Sequence, residues 1–266
     1  MLEPEIRIYN KTEAFISVFY VLFMKIAAII PARYESTRFR GKPLAPICGK
    51  PMIQWVYEAA RQCDFIDQVF IATDHEGIRN AAEAFGARVC MTAATHATGT
   101  DRVAEAVESL DTQIVINLQG DEPLIEPEAI RQAVTPLLKD SSIVMGTLKT
   151  RITDERDLGN PHVVKVVTDV SDCALYFSRS PIPFMNNTNS AAAAYRHIGL
   201  YVFRKDFLRT FTRLPQAALE QSENLEQLRA LEHGYRIKVP TTSYQPIGVD
   251  TPDDIIRVEN MLKNKK

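Results

Sequence analysis

Short, continuous apolar runs alternate with amphipathic stretches through the first half of the chain, and that alternation leaves few folds open. Lys25 to Ile30, Asp67 to Thr73, Ala87 to Met91, Gln113 to Leu118 and Ser142 to Leu148 are runs in which polar residues do not alternate with apolar ones. Strands covered on both faces read this way. Between them lie helical patterns over Pro51 to Ala60, Gly77 to Phe85, Thr100 to Leu110 and Pro127 to Lys139, two of them opened by a proline where a first turn tolerates one. Strand, helix, strand in repetition predicts an α/β fold with a mostly parallel central sheet and helices on both faces.

Past Thr150 the rhythm changes. Strand patterns over Val163 to Thr168, Ala174 to Phe177 and Ile198 to Phe203 follow one another without helices, broken by Pro181, Pro183 and a loop over Asn186 to Ala194. This predicts an antiparallel excursion, about residues 160–204, from one main domain spanning 24–266. Helices are expected again over Lys205 to Arg213 and Glu223 to His233, a strand over Arg236 to Pro240, and a last helix capped by Thr251-Pro252-Asp253-Asp254.

Composition narrows the function. A net charge of −2 over 266 residues argues against a nucleic-acid binder. Cys48, Cys63, Cys90 and Cys173 lack the spacing of a zinc site or a disulfide framework, which fits a reducing cytoplasm. Residues 1–23 differ from the rest. Their apolar run, Ala14 to Phe23, falls short of the roughly 20 residues a membrane span needs, and Glu3, Glu5 and Glu13 are foreign to a signal peptide. A dispensable arm ahead of Met24 is expected, with no membrane partner.

The first strand breaks at Pro31 into a cationic loop, where Arg33, Arg38, Arg40 and Lys42 face a single Glu35 and Gly41 gives the backbone room to fold around a ligand. A charged run is often only a solvated face, but loops at the carboxyl ends of parallel strands are where open α/β sheets bind ligands. Arginine forks and a mobile lysine suit a polyphosphate. The spacing matches neither the P-loop nor the dinucleotide fingerprint, which excludes a nicotinamide dehydrogenase.

Two carboxylates also follow strand-like segments. Asp121, in Gln119-Gly120-Asp121-Glu122-Pro123, and Asp250, in Gly248-Val249-Asp250-Thr251-Pro252, read either as turn and capping residues or as oxygen ligands converging on a hard cation such as Mg²⁺. The turn Thr95 to Arg102, with Thr98 and Gly99, offers hydroxyls and amides that suit a base or ribose, and equally any helix start.

Together these segments resemble the 3-deoxy-manno-octulosonate cytidylyltransferase family. The resemblance rests on Ile30-Pro31-Ala32-Arg33-Tyr34 with Gly41-Lys42-Pro43-Leu44, on the two aspartate segments, and on Ala174 to Arg179, Arg196 to Tyr201 and Leu225 to Arg229. It spans Met24 to Met261, with a shortened segment between Arg179 and Arg196. It implies a nucleotide-diphospho-sugar transferase fold of the glycosyltransferase-A type and a homodimer built through the antiparallel excursion. The implied reaction joins CTP and 3-deoxy-D-manno-octulosonate (Kdo) into CMP-Kdo and diphosphate, for lipopolysaccharide inner-core synthesis. Position by position, Arg33, Arg38 and Lys42 match triphosphate binders, with Gln119, Thr98 and Gly99 beside the nucleotide, and Asp121 and Asp250 match magnesium ligands. Lys42 and Arg38 would join the two aspartates in catalysis. Arg179, His197, Tyr201, Glu226 and Gln227 match the sugar pocket. On periodicity alone Glu226 and Gln227 would be solvated and His197 and Tyr201 would be packing residues of one strand face. A cytidylyltransferase for a related acid sugar, of 8-amino-octulosonate or sialic-acid type, and a silent nucleotide-binding homologue remain open alternatives.

Overall fold

The computed structural model describes residues 24–35, 39–184 and 193–264. The expected arm before Met24 therefore lies outside the described residues, as does Arg38. The strands are β1 (Ile26–Ala32), β2 (Pro46–Ile47), β3 (Lys50–Pro51), β4 (Gln68–Thr73), β5 (Arg88–Met91), β6 (Ile114–Asn117), β7 (Met145–Arg151), β8 (Lys165–Thr168), β9 (Ala174–Ser178), β10 (Tyr195–Arg204) and β11 (Ile237–Lys238). A nine-stranded sheet runs in the order β11-β7-β10-β6-β1-β4-β5, with β8 joined to β10 and β9 to β8, while β2 and β3 form a separate small hairpin.

The helices are α1 (Met52–Arg61), α2 (Glu76–Ala84), α3 (Gly99–Val107), α4 (Pro127–Lys139), α5 (Glu155–Gly159), α6 (Lys205–Phe211), α7 (Ala218–Glu223), α8 (Gln227–Glu232) and α9 (Pro252–Asn264). The period-two geometry of β1 sorts its side chains between two cores. Ile26, Ala28 and Ile30 pack with α1, α2 and α4 on one face, and Ala27 and Ile29 pack with α3, α6 and α8 on the other. Ile29 and Ile30 have no exposed surface, and each such side chain contributes roughly 1.5–3 kcal/mol by leaving water. A third, smaller core joins the two ends of the chain: Ile47 and Met52 beside the cationic loop meet Val249 and Val258 of the last segment, with Phe39, Trp55 and Ile255 around them.

The antiparallel excursion is present, and its strand β10, longer than the expected Ile198 to Phe203, lies antiparallel between β6 and β7, separating strands that otherwise point the same way. Only β8 and β9 extend outward from it. The helix expected over Glu223 to His233 is corrected: it starts at Gln227, behind a separate helix α7 that ends at Glu223. Asn224, at φ 51°, takes the left-handed conformation that ends α7, and Asn is one of the few side chains that accept it. Helix α8 is enclosed on most sides, with Gln227, Leu228, Arg229 and Ala230 all buried, so Gln227 faces inward, 3% exposed, instead of solvent.

Candidate active site

The carboxyl ends of β1 and β6 open onto one crevice of about 400 Å³, lined by Pro31, Arg33, Lys42, Gly99, Gln119 and Asp121 among others. The loop after β1 folds back on itself there. The Gly41 amide donates to the Tyr34 carbonyl at 2.8 Å, and Gly41 sits at φ 71°. A Cβ at Gly41 would lie 3.3 Å from the Tyr34 ring, which itself stacks on His75 with centroids 4.0 Å apart. Glycine is thus required twice over, by the backbone angle and by the ring above it. The fold-back starts a short 3₁₀ turn at Lys42 and sends that side chain inward. At the neighbouring turn, Gly120 lets two backbones close up, since a Cβ there would stand 3.4 Å from the Pro31 carbonyl oxygen.

Lys42 joins both aspartates. Its Nζ lies 2.6 Å from Asp121 Oδ2 and 3.4 Å from Asp250 Oδ1, and donates to the Val249 carbonyl at 3.0 Å. The two aspartate loops are stitched to each other by the Val249 amide donating to the Asp121 carbonyl at 2.9 Å. At the start of α9 the amides of Asp250 and Thr251 donate to Asp254 Oδ2, at 3.0 and 2.9 Å, so the carboxylate capping that turn is Asp254. Asp250 is thereby turned toward the crevice. Two carboxylates and a carbonyl around one cation form a hard-oxygen donor set that fits a divalent ion completing its shell with water and substrate oxygens. Among the described residues no group of three or more His, Cys, Asp or Glu side chains is placed to hold a metal ion.

The remaining loop cations divide. Arg33 Nη2 donates to the His96 carbonyl at 2.9 Å, holding the turn before α3 against the crevice. Arg40 lies 2.9 Å from Glu35, both well exposed, a surface pair of small energetic weight.

On the far side of the Thr98–Thr100 turn lies a second cavity, of about 380 Å³, bounded by Thr98, Glu226, Asn224 and Glu220 among others. Thr98 caps α3, its hydroxyl accepting from the Asp101 amide while the Asp101 carboxylate accepts from the Thr98 amide. Thr100 donates to Glu226 at 2.5 Å. Burial raises the Glu226 carboxyl above its ordinary pKa, and the Thr100 hydroxyl opposes that shift.

His197 and Tyr201 lie together on β10, outside the lining of that cavity, with ring centroids 5.4 Å apart, and Phe177 meets His197 edge-on at 5.1 Å. His197 Nε2 lies 3.0 Å from the Thr147 hydroxyl. Burial, and then Arg196, pulls the imidazole down to about 3, so it is neutral near pH 7. Burial, and then the Glu226 carboxylate, raises the Tyr201 phenol. Tyr201 sits opposite Asn117 in the strand register. Asn117 Oδ1 and Gln227 Nε2 are buried without a hydrogen-bond partner among the described residues, the condition of groups that wait for a ligand or water.

Arg179 behaves differently from the other four sugar-side residues. Its three side-chain nitrogens donate to the carbonyls of Glu223, Pro161 and Asn224, at 2.7, 2.9 and 3.2 Å, so the guanidinium clamps the turn that leads into Glu226 and Gln227. The buried pair Arg229–Glu220, at 2.5 Å, ties α8 to α7 behind that turn. The two cavities share the Thr98–Thr100 turn as a wall. A second link is Gly199 of β10, whose Cβ would stand 3.7 Å from the Gln119 side chain.

Sequence reading passed over two features of the site. The Val249 carbonyl on Lys42 leaves no mark in side-chain identity. Glu122, quoted only as part of a motif, is pushed up to about 7 by burial and then by Asp121, and accepts from Tyr244 Oη at 3.2 Å. The alternation of buried Thr242 and Tyr244 was the available signal for that pair.

Comparison with known proteins places this geometry in context. Residues 27–237 match the Cytidylyltransferase family. The chain is 54% identical over 250 residues to a 3-deoxy-manno-octulosonate cytidylyltransferase of Geotalea uraniireducens, covering 90% of this chain and 100% of that protein. The same enzyme of Solibacter usitatus is 52% identical over 239 residues, covering 90% and 95%. A solved CMP:2-keto-3-deoxy-manno-octonic acid synthetase complexed with CTP superimposes with a TM-score of 0.87 at 40% identity, over 91% of this chain and all of that one. The 4-diphosphocytidyl-2C-methyl-D-erythritol synthase of Anaerococcus prevotii, at 18% identity and a TM-score of 0.60 over 90% of this chain and 96% of its own, shares the fold alone.

Proposed function

This chain belongs to the 3-deoxy-manno-octulosonate cytidylyltransferase family, and from that premise we propose that it transfers the cytidylyl group of CTP to the anomeric hydroxyl of Kdo, releasing diphosphate. The observation that carries the reading is the meeting of Asp121, Asp250 and Lys42 at the crevice where β1 and β6 end.

Asp121 and Asp250 hold a divalent cation, and among hard ions their oxygen donors suit Mg²⁺. Held by Asp121 and Asp250, such an ion would supply Lewis-acid stabilisation of charge at the phosphate and of the attacking hydroxyl, and the chain would then need no protein base. Arg33, Arg38 and Lys42 orient the triphosphate and steady the departing diphosphate as negative charge moves outward. Gln119, Thr98 and Gly99 bound the nucleotide. Kdo takes the space beside the Thr98–Thr100 turn, toward Glu226, Gln227 and Tyr201. Neutral His197, Tyr201 and the unpartnered amide of Gln227 meet its hydroxyls, Glu226 accepts from one of them, and Arg179 holds the Glu226–Gln227 turn in place. The enzyme works as a cytoplasmic homodimer joined through residues of the 160–204 region, and its product feeds lipopolysaccharide inner-core assembly. No helix among the described residues is long and apolar enough to cross a membrane.

The test is diphosphate release from CTP across Kdo, 8-amino-octulosonate and sialic acid, with and without MgCl₂. Turnover is expected with Kdo and metal. Preference for another acid sugar would move the assignment to a related cytidylyltransferase, and no release with any of them would leave a silent nucleotide binder.

A further inference from the structure

A lysine ammonium has three protons to donate and no lone pair. Lys42 directs its ammonium at Asp121 Oδ2, the Val249 carbonyl and Asp250 Oδ1, at 2.6, 3.0 and 3.4 Å, with its side chain only 16% exposed. Nothing in that arrangement reaches toward phosphate. Two carboxylates brought to one point from distant segments of the chain repel each other unless a cation lies between them. The ammonium supplies that charge. The turn that presents it is fixed at its base, by Gly41 folded against Tyr34 and by the hydrogen bonds of the 3₁₀ turn, whereas the four-carbon stem beyond Cα is free to swing.

We propose that Lys42 is a built-in counter-ion which competes with the divalent cation for Asp121 and Asp250, and that it yields those carboxylates only when a triphosphate offers its ammonium another anionic partner. This rests on the reading above that the two aspartates receive a divalent ion. The exchange improves local charge balance. Before it, the ammonium offsets one of the two carboxylate charges. After it, the ammonium lies against phosphate oxygens while a doubly charged ion offsets both carboxylates. Metal and nucleotide are therefore coupled through one side chain: either alone leaves a cation crowded or a carboxylate pair unbalanced, and each strengthens the binding of the other by the same factor.

The consequence runs against the usual effect of deleting a binding-site cation. In protein without nucleotide, Lys42→Met should bind Mn²⁺ more tightly than wild type, by about tenfold or more given the repulsion between neighbouring cations at such distances. Mn²⁺ affinity is read by electron paramagnetic resonance of the unbound ion, with no turnover needed. Adding a non-hydrolysable CTP analogue should tighten Mn²⁺ binding strongly in wild type and only slightly in Lys42→Met. Lys42→Arg should behave like wild type without nucleotide. Asp121→Asn in either background should abolish the tight Mn²⁺ site. Should Lys42→Met fail to fold, wild-type protein still decides the matter through trace labelling of lysine amines read by mass spectrometry. Mg²⁺ alone should raise the labelling of Lys42 relative to the other lysines, and Mg²⁺ with the analogue should suppress it. Equal or weaker Mn²⁺ binding by Lys42→Met, tight binding that survives Asp121→Asn, or labelling of Lys42 indifferent to Mg²⁺ would each overturn the proposal. A functional misassignment is distinguishable, because it would appear as missing diphosphate release while these binding results stood.

Discussion

The regions matched to nucleotide and to sugar are built from opposite materials. On the nucleotide side, full charges stand on loops: Arg33 and Lys42 after β1, Asp121 after β6 and Asp250 before α9, held by backbone fold-backs and by one ammonium. On the sugar side, polar groups stand on a central strand and a broken helix. The imidazole there is kept neutral, a phenol is kept protonated, and amides lie buried without partners. On the proposed reading, the first region handles charge that moves during reaction, which calls for groups that can exchange partners. On the same reading the second recognises an arrangement of hydroxyls, which calls for groups that do not move and cannot ionise. The Thr98–Thr100 turn borders both cavities.

The largest effect should come from removing charge on the loop side. Asp121→Asn or Asp250→Asn keeps shape and loses an anion, weakening a Lewis-acid contribution of several kcal/mol, so turnover should fall about a hundredfold or more. If one ion serves both carboxylates, the double variant will be scarcely slower than the worse single one. Rates over a MgCl₂ titration check this, and full activity with unchanged metal dependence in Asp250→Asn would remove Asp250 from the charged region.

The neutrality of the sugar side can be tested next. The unfolded chain protonates His197 near its ordinary pKa of 6.5, whereas the folded chain resists until about 3, so the unfolded state binds more protons throughout that interval. Stability must then fall as pH drops below 6.5, by about 1.36 kcal/mol per unit, or roughly 2 kcal/mol at pH 5. His197→Gln cannot ionise and still reaches the Thr147 hydroxyl. Urea unfolding at pH 7 and pH 5 should show wild type losing that much more than the variant, and identical losses would mean the imidazole is not held neutral.

A smaller and more local change sharpens the division further. Gln227→Ala removes a buried amide and should raise KM for Kdo about tenfold, the scale of one unmade hydrogen bond, while the Kd for CTP stays within about twofold. Equal damage to both ligands, measured by steady-state kinetics and calorimetry, would show the amide serving the fold common to both cavities.

What the sequence disclosed follows the same division. Helix α4 was legible at both ends, because Pro127 marks its first turn and Lys139 its last. The loops carrying Asp121 and Asp250 could be read from the strands before them. Convergence of their side chains on Lys42 could not, since it depends on contacts between chain ends that no local pattern records. Around Gln227, periodicity failed because α8 is enclosed on most sides: Gln227, Leu228, Arg229 and Ala230 are all buried, so a polar residue beside the apolar stripe is inward as well. Nor does alternation in β10 reveal its neighbours. The pattern specifies a half-buried strand, and only the whole sheet determines that this strand fills the gap between β6 and β7.

That central position governs the order in which the protein can be made. A chain emerging from the ribosome presents β6 and β7 long before Tyr195–Arg204 is available to lie between them, so until then each exposes an unpaired edge of backbone amides and carbonyls. The nascent enzyme thus carries its aggregation hazard in the middle of what will become its sheet, and is obliged to wait or be chaperoned. Asp250 comes later still, so the carboxylate pair is completed only after β10 has been made.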